Sequence, residues 1–221
     1  MIVRLKIAFL IVFVVSSCDQ KAERVEEQIL DKSVGKKIVH APSKEGNMIC
    51  DTLDIQPFDN ISESQISYVF KQLCKIHPHV NLLKAIPLPK RAYYIPRHRY
   101  RADTLIAFLR DLTKKGHVTI GLTNKDISTE NGIYKDWGVM GLGFQPGKAC
   151  VVSTFRLSKN NLNDQYFKVV IHELGHTQGL PHCADLKCYM RDAKGKNNTE
   201  SETGFCEKCK SFLIDRKWKL D

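Results

Sequence analysis

The chain has 221 residues, 43% of them hydrophobic, with a formal net charge of +10 and a pI near 9.2. That length supports one well-buried domain and excludes two sizeable cores. The basic balance reports non-specific attraction to anionic partners and says nothing about fold.

In chain order, Arg4 and Lys6 precede an apolar run over residues 7–15, and Ser16, Ser17 and Cys18 follow. These are the charged, apolar and small-residue zones of an export signal. The run falls short of the ~20 apolar residues a membrane-spanning helix needs. It resembles a bacterial lipoprotein signal, which implies cleavage after residue 17, lipidation of Cys18 and a place in the cell envelope on the periplasmic or outer-membrane face. An ordinary cleaved signal is the alternative. Loss of Arg4 and Lys6 would leave the mature chain at +8. Residues 18–47 are rich in Lys, Glu, Ser and Gly without a sustained apolar face, as in a flexible tether. The folded domain is expected over 48–221.

Ser62 to Gln65 has the form of a capping box, and Ile66, Val69, Phe70 and Leu73 trace an apolar stripe ending near Pro78, which predicts a helix. Residues 80–88 read as a strand. Residues 84–101 then concentrate Lys90, Arg91, Arg97, Arg99 and Arg101 among Tyr93, Tyr94 and Tyr100. This superficially suits nucleic acid. An exported protein is not expected to meet nucleic acid, so the run reads as a solvated basic face toward anionic lipid or acidic substrates. Leu105, Ile106, Leu109 and Leu112 share one face of a second helix, with Lys114, Lys115 and Gly116 as its C-terminus. Residues 118–122 read as a strand buried on both faces, and 150–155 as another. Residues 138–147, with four glycines and Pro146, suit either a turn-rich rim or a plain hairpin connection.

The most informative stretch is 172–182. His172 and His176 lie four apart, so on a helix both rings leave one face and reach one ion. Glu173 stands beside them, not needed as a ligand and free to act as a base toward water. Phe167, Val170, Ile171 and Leu174 recur at intervals of three and four, the pattern of a helix buried along one side. Gly179 suits a left-handed helix stop and Pro181 cannot continue a helix, so the chain turns and returns His182 as a third ligand. Three protein ligands leave a tetrahedral zinc one open position, the mark of a catalytic site. By itself HExxH also arises by chance in helices; Gly179 and His182 at fixed offsets make the metal reading specific.

Cys183 and Cys188, then Cys206 and Cys209 spaced as CxxC, suit a closed tetrahedral zinc with no vacancy for substrate. A pair of disulfides is the alternative in an oxidising compartment. With Cys18 set aside for lipid, Cys50, Cys74 and Cys150 remain, an odd number that argues against a full disulfide framework. These three read as buried free thiols. The five other histidines, His40, His77, His79, His98 and His117, have no such spacing and read as structural or solvent-facing.

Together, the three-histidine motif, Cys183 directly after His182, the Cys188-Tyr189-Met190 triplet and the later CxxC resemble the archaemetzincins over residues 48–215. Ser153-Thr154-Phe155-Arg156-Leu157 is similar to the strand segment that precedes the active-site helix there. The resemblance implies an α/β, zincin-like fold. Its parts would be a mixed twisted sheet with packed helices, an active-site helix at the floor of a cleft (48–179) and a small four-cysteine zinc subdomain (180–221). It implies a catalytic zinc on His172, His176 and His182, Glu173 as general base, and a second, structural zinc on Cys183, Cys188, Cys206 and Cys209. Met190 would form the tight turn beneath the metal, as packing and not as a ligand. The strand at 150–155 would be an edge for an added peptide strand. The segment 191–205 is polar, slightly shorter than is usual in the family, and Asp192 stands where some metzincins place a tyrosine. Tyr189 does not replace it on spacing, so no oxyanion stabiliser is identified.

These readings predict a zinc metallopeptidase, with aminopeptidase-like cleavage as in some archaemetzincins. The expected protein is a monomer that acts on peptide or protein substrates and meets the membrane only through its lipid. A non-catalytic zinc-stabilised peptide-binding module is the alternative, disfavoured by the intact Glu173. A four-cysteine nucleic-acid module is disfavoured by the export signal.

Overall fold

The computed structural model describes residues 50–58 and 61–220. The leader, Cys18, the tether and Met48 lie outside them. No helix among the described residues is long and apolar enough to cross a membrane.

Strand β1 (Thr52–Pro57) leads into helix α1 (Glu63–Ile76). Ser62 caps that helix as expected: its side chain accepts from the Gln65 backbone N–H, and the Gln65 side chain reaches back to the Ser62 N–H. Strand β2 (Val80–Leu82) follows. It is much shorter than the strand expected over 80–88. Pro87 and Pro89 have no N–H to donate, and only an isolated Ile86–Phe58 bridge continues the pairing.

Two short strands, β3 (Tyr93–Tyr94) and β4 (Arg99–Arg101), precede helix α2 (Ala102–Leu112). Leu105, Ile106 and Leu109 are buried along its inner face, but Leu112 is 56% exposed. The helix stops there, at Thr113, so Leu112 has no further turn to pack beneath. Then come β5 (His117–Thr123), the hairpin β6 (Ile127–Asn131) and β7 (Tyr134–Val139), β8 (Gly141–Gly143), β9 (Ala149–Ser153), α3 (Leu162–Thr177) and α4 (Glu207–Ile214).

The fold is mixed α/β. One sheet runs β2-β1-β5-β9-β8, parallel except for the antiparallel β8 at its edge; a second runs β3-β4-β6-β7. Strand β5 is buried on both faces, with Val118, Ile120 and Leu122 on one and the small Thr119, Gly121 and Thr123 on the other. Val118, Ile120 and Leu122 join α1 and α3 in one core, where Val69, Leu73, Tyr166 and Val170 meet them. On the other side Leu105, Ile106 and Leu109 of α2 meet Phe58, Ala149 and Val151. Each fully buried Leu or Ile contributes roughly 1.5–3 kcal/mol relative to exposure. Leu180, Cys188, Met190, Cys209, Leu213 and Trp218 belong to the same core as α1 and α3, and the Lys219 N–H donates to the Ile76 carbonyl.

Two expectations are corrected. Strand β9 is not an edge: it lies between β5 and β8, and β8 is the edge strand. Nor do all the arginines of 84–101 form a solvated basic face: Arg91 and Arg97 are exposed, but Arg99 and Arg101 are not. Arg99 pairs with Asp126 at 3.0 Å and Asp136 at 3.2 Å, and Arg101 reaches Asp136, Asp103 and Glu130. Both side chains are largely buried where β4 meets β6, so the charges are spent inside the second sheet.

Candidate metal centre

Helix α3 runs beneath β8 and β9 and is buried over most of its second half, including Glu173, Leu174, Gly175, His176 and Thr177. It ends in a Schellman arrangement: Gly179 adopts φ +105°, its N–H donates to the His176 carbonyl, and the Leu180 N–H donates to that of Gly175. Pro181 then directs His182 back over the helix. The three imidazole rings converge, with centroids 4.6, 4.8 and 5.4 Å apart.

The hydrogen bonds decide what these rings offer. His172 Nδ1 lies 2.6 Å from the Tyr189 carbonyl and His176 Nδ1 lies 2.7 Å from the Leu180 carbonyl. A carbonyl only accepts, so each Nδ1 bears the proton and each Nε2 presents a lone pair. Those two Nε2 atoms face each other at 3.0 Å. Two lone pairs at that separation repel unless a cation sits between them. One ligand atom from each histidine lies within 4.8 Å of the others, a set that fits a zinc ion bound at about 2.0–2.1 Å. Burial, with His176 nearby, holds the His172 pKa down to about 3, and burial lowers that of His176 as well. Both rings are therefore neutral, the ligating form.

Glu173 is buried beside the rings, and burial pushes its carboxyl up to about 8, against a hydrogen bond from the Gly143 backbone that favours the charged form. The edge strand β8 makes room for it. A Cβ on Gly141 would stand 2.6 Å from Glu173 Oε1, and one on Gly143 2.8 Å from the Glu173 carbonyl oxygen. These two glycines alternate onto one face of the strand, in a segment whose residues alone read equally as rim or hairpin. The Gly-x-Gly pattern before the zinc helix was the available signal, but it contains no ligand atom.

Met190 is fully buried beneath α3, and a Cβ on Gly175 would stand 2.5 Å from its Sδ. It packs against the helix at that point. Tyr189 holds His172 through its carbonyl, while its hydroxyl is directed to the Thr203 carbonyl at 3.4 Å. Asp192 Oδ2 lies 4.0 Å from His182 Nδ1.

A cleft of about 930 Å³ opens over the histidines. Its walls are α3 (Lys168 to His176), the β7–β8 segment from Trp137 to Gly143, and the polar stretch 191–199. The four cysteines lie outside it. Their sulfurs come within 4.8 Å of one another, and Cys183 Sγ to Cys206 Sγ is 3.6 Å. A disulfide requires about 2.05 Å; two thiolates on a zinc at about 2.3 Å stand roughly 3.8 Å apart. Every described cysteine is free, so the disulfide alternative is not realised. Cys50 and Cys150 are buried as expected, whereas Cys74 is exposed.

Comparison with known proteins agrees with this geometry. The family model described as peptidase family M54 matches residues 48–215. The archaemetzincin of Halobacterium salinarum is 33% identical over 140 residues, 58% of this chain and 78% of that protein. That of Methanocaldococcus jannaschii is 27% identical, over 73% of this chain and 92% of that one. Among solved structures, the Methanopyrus kandleri archaemetzincin superposes with a TM-score of 0.65 at 26% identity, covering 79% of this chain and 98% of its own. The Archaeoglobus fulgidus archaemetzincin, crystallised with malonate, gives 0.63 at 27% identity, covering 73% and 99%. With its fold, its histidine motif and its match to the family model in agreement, the chain belongs to peptidase family M54, the archaemetzincins, and is a zinc metallopeptidase.

Proposed function

We propose that His172, His176 and His182 hold the catalytic zinc and that Glu173 is the general base in peptide-bond hydrolysis. The facing Nε2 lone pairs of His172 and His176 carry this reading, because the Tyr189 and Leu180 carbonyls have already claimed both Nδ1 protons. Zinc bound there supplies Lewis acidity toward the scissile carbonyl and a lowered pKa for water. Glu173 takes the proton of the attacking water and passes it to the leaving amine. Gly141 and Gly143 keep its carboxylate beside the edge strand, where an extended substrate adds as a further strand.

Cys183, Cys188, Cys206 and Cys209 hold a second, structural zinc, so the folded chain binds two ions. Backbone N–H groups of Asp185, Met190 and Cys206 point at the sulfurs of Cys183 and Cys188 at 3.4–3.5 Å, which supports thiolates at these positions.

The test is elemental analysis of purified protein together with an unbiased peptide library read by mass spectrometry, using Glu173→Gln as control. Two zinc ions per chain are expected, with new termini produced only by the unmodified protein. Two ions with every peptide left whole would favour the binding-module reading. For the anchor, the leader-like run and Cys18 support an exported lipoprotein, and Cys18→Ser should abolish metabolic labelling by a fatty acid.

A further inference from the structure

Glu202 stands in the cleft wall with a side chain that nothing above uses. It is 7% exposed, lines the same cleft as the histidines, and makes no hydrogen bond or ion pair among the described residues. Two cations lie close enough to act on it through space, Lys168 and Arg191, yet both are engaged elsewhere. Lys168 Nζ is held by Asp164 at 2.9 Å and by the Thr199 carbonyl at 2.9 Å. Arg191 Nη1 donates to the Leu186 carbonyl at 3.3 Å and to Ser201 Oγ at 3.0 Å. Burial accordingly pushes the Glu202 carboxyl up to about 7, against the pull of those two cations. A buried carboxylate without a partner is costly to keep. This one borders open volume, where a ligand can reach it.

Glu202 lines the same cleft as His172, His176 and His182. A group seated on it therefore belongs to a substrate that reaches the histidine cluster within that cleft.

We propose that Glu202 is the anchor for a cationic nitrogen of a substrate bound in the histidine-lined cleft. This rests on the peptidase reading of the histidine cluster. An ammonium supplies both the charge and the donors that the carboxylate lacks, and charge-assisted hydrogen bonds are the strong ones. Two sources share this chemistry. A free α-ammonium would make the protein an aminopeptidase that counts from the chain end, whereas a lysine side chain would make it selective for basic sequence.

Binding separates them without turnover. Zinc-loaded Glu173→Gln protein is titrated calorimetrically with Leu-Ala-Ala-amide, with its N-acetyl form, and with N-acetyl-Lys-Ala-Ala-amide. At least one cationic probe should bind roughly tenfold or more tighter than the neutral acetylated peptide. Adding Glu202→Gln should erase that difference while zinc content and Tm hold. Preference for the first probe identifies the α-ammonium, and preference for the third identifies the side chain. If the neutral peptide binds as tightly as both cationic ones, or if the preference survives Glu202→Gln, the proposal is overturned. The first of these needs no variant at Glu202, so a poorly folded substitution does not protect the idea. Should the unmodified protein cut no peptide, the hydrolytic reading falls while these binding ratios still decide the role of Glu202.

Discussion

The two ligand clusters are built on opposite principles. The histidines are presented by a rigid buried helix and one sharp return, they are graded from buried His176 to exposed His182, and all three line the cleft. The cysteines come from the stretch between Thr177 and Glu207, which contains no helix or extended strand, and from the first turn of α4. None of them lines the cleft. A metal held on a helix already fixed by a core is spare to folding and free for chemistry. A metal held by loops replaces the secondary structure those loops lack.

That contrast can be broken most sharply at Glu173. Glu173→Gln should cut peptide cleavage by roughly 10³-fold while leaving two zinc ions and an unchanged Tm, because the side chain is no ligand. Gly141→Ala comes next. Its new Cβ would meet Glu173 Oε1, so cleavage should fall roughly 10²-fold with zinc retained. A fall in zinc content instead would show that β8 supports the metal site itself.

At the thiolate cluster the expected loss is of stability. Cys206→Ser should release one zinc and lower Tm by about 10 °C. Unchanged metal content would count against the assignment. Last, Gly175→Ala should cost about 1–3 kcal/mol in chemical denaturation, since Met190 Sδ occupies the space and the core above it is full. Gly204→Ala, where nothing lies within 4 Å, should be nearly silent. Equal effects at the two glycines would erase the distinction between a helix packed to capacity and a loop held by metal.

Much of the metal centre was legible in the residues because its logic is local. The spacing from His172 to His182 lies within one helix and one turn: helical geometry brings the first two rings together and the turn at Gly179 adds the third. Ser62 and Gln65 announced α1 for the same reason. What escaped was non-local. Strand order depends on partners far along the chain, so the edge was assigned to β9 when Gly141–Gly143 occupies it. The first strand and the second sheet went unread: β1 is a short stretch, and β4 pairs with β6 across an intervening helix. Arg99 and Arg101 read as part of a basic face because Asp126 and Asp136, which neutralise them, arrive only with the following hairpin. Glu202 gave no signal at all, since a carboxylate in a polar loop acquires meaning only when burial removes its water.

Cys188, Tyr189 and Met190 are consecutive, and the Tyr189 carbonyl orients His172. A shift of Cys188 is thus passed within one residue to the atom that fixes the tautomer of an imidazole. On the proposed two-zinc reading, any coupling carried by this strut acts equally in both directions, so filling the closed centre would help the open one by the same factor as the reverse.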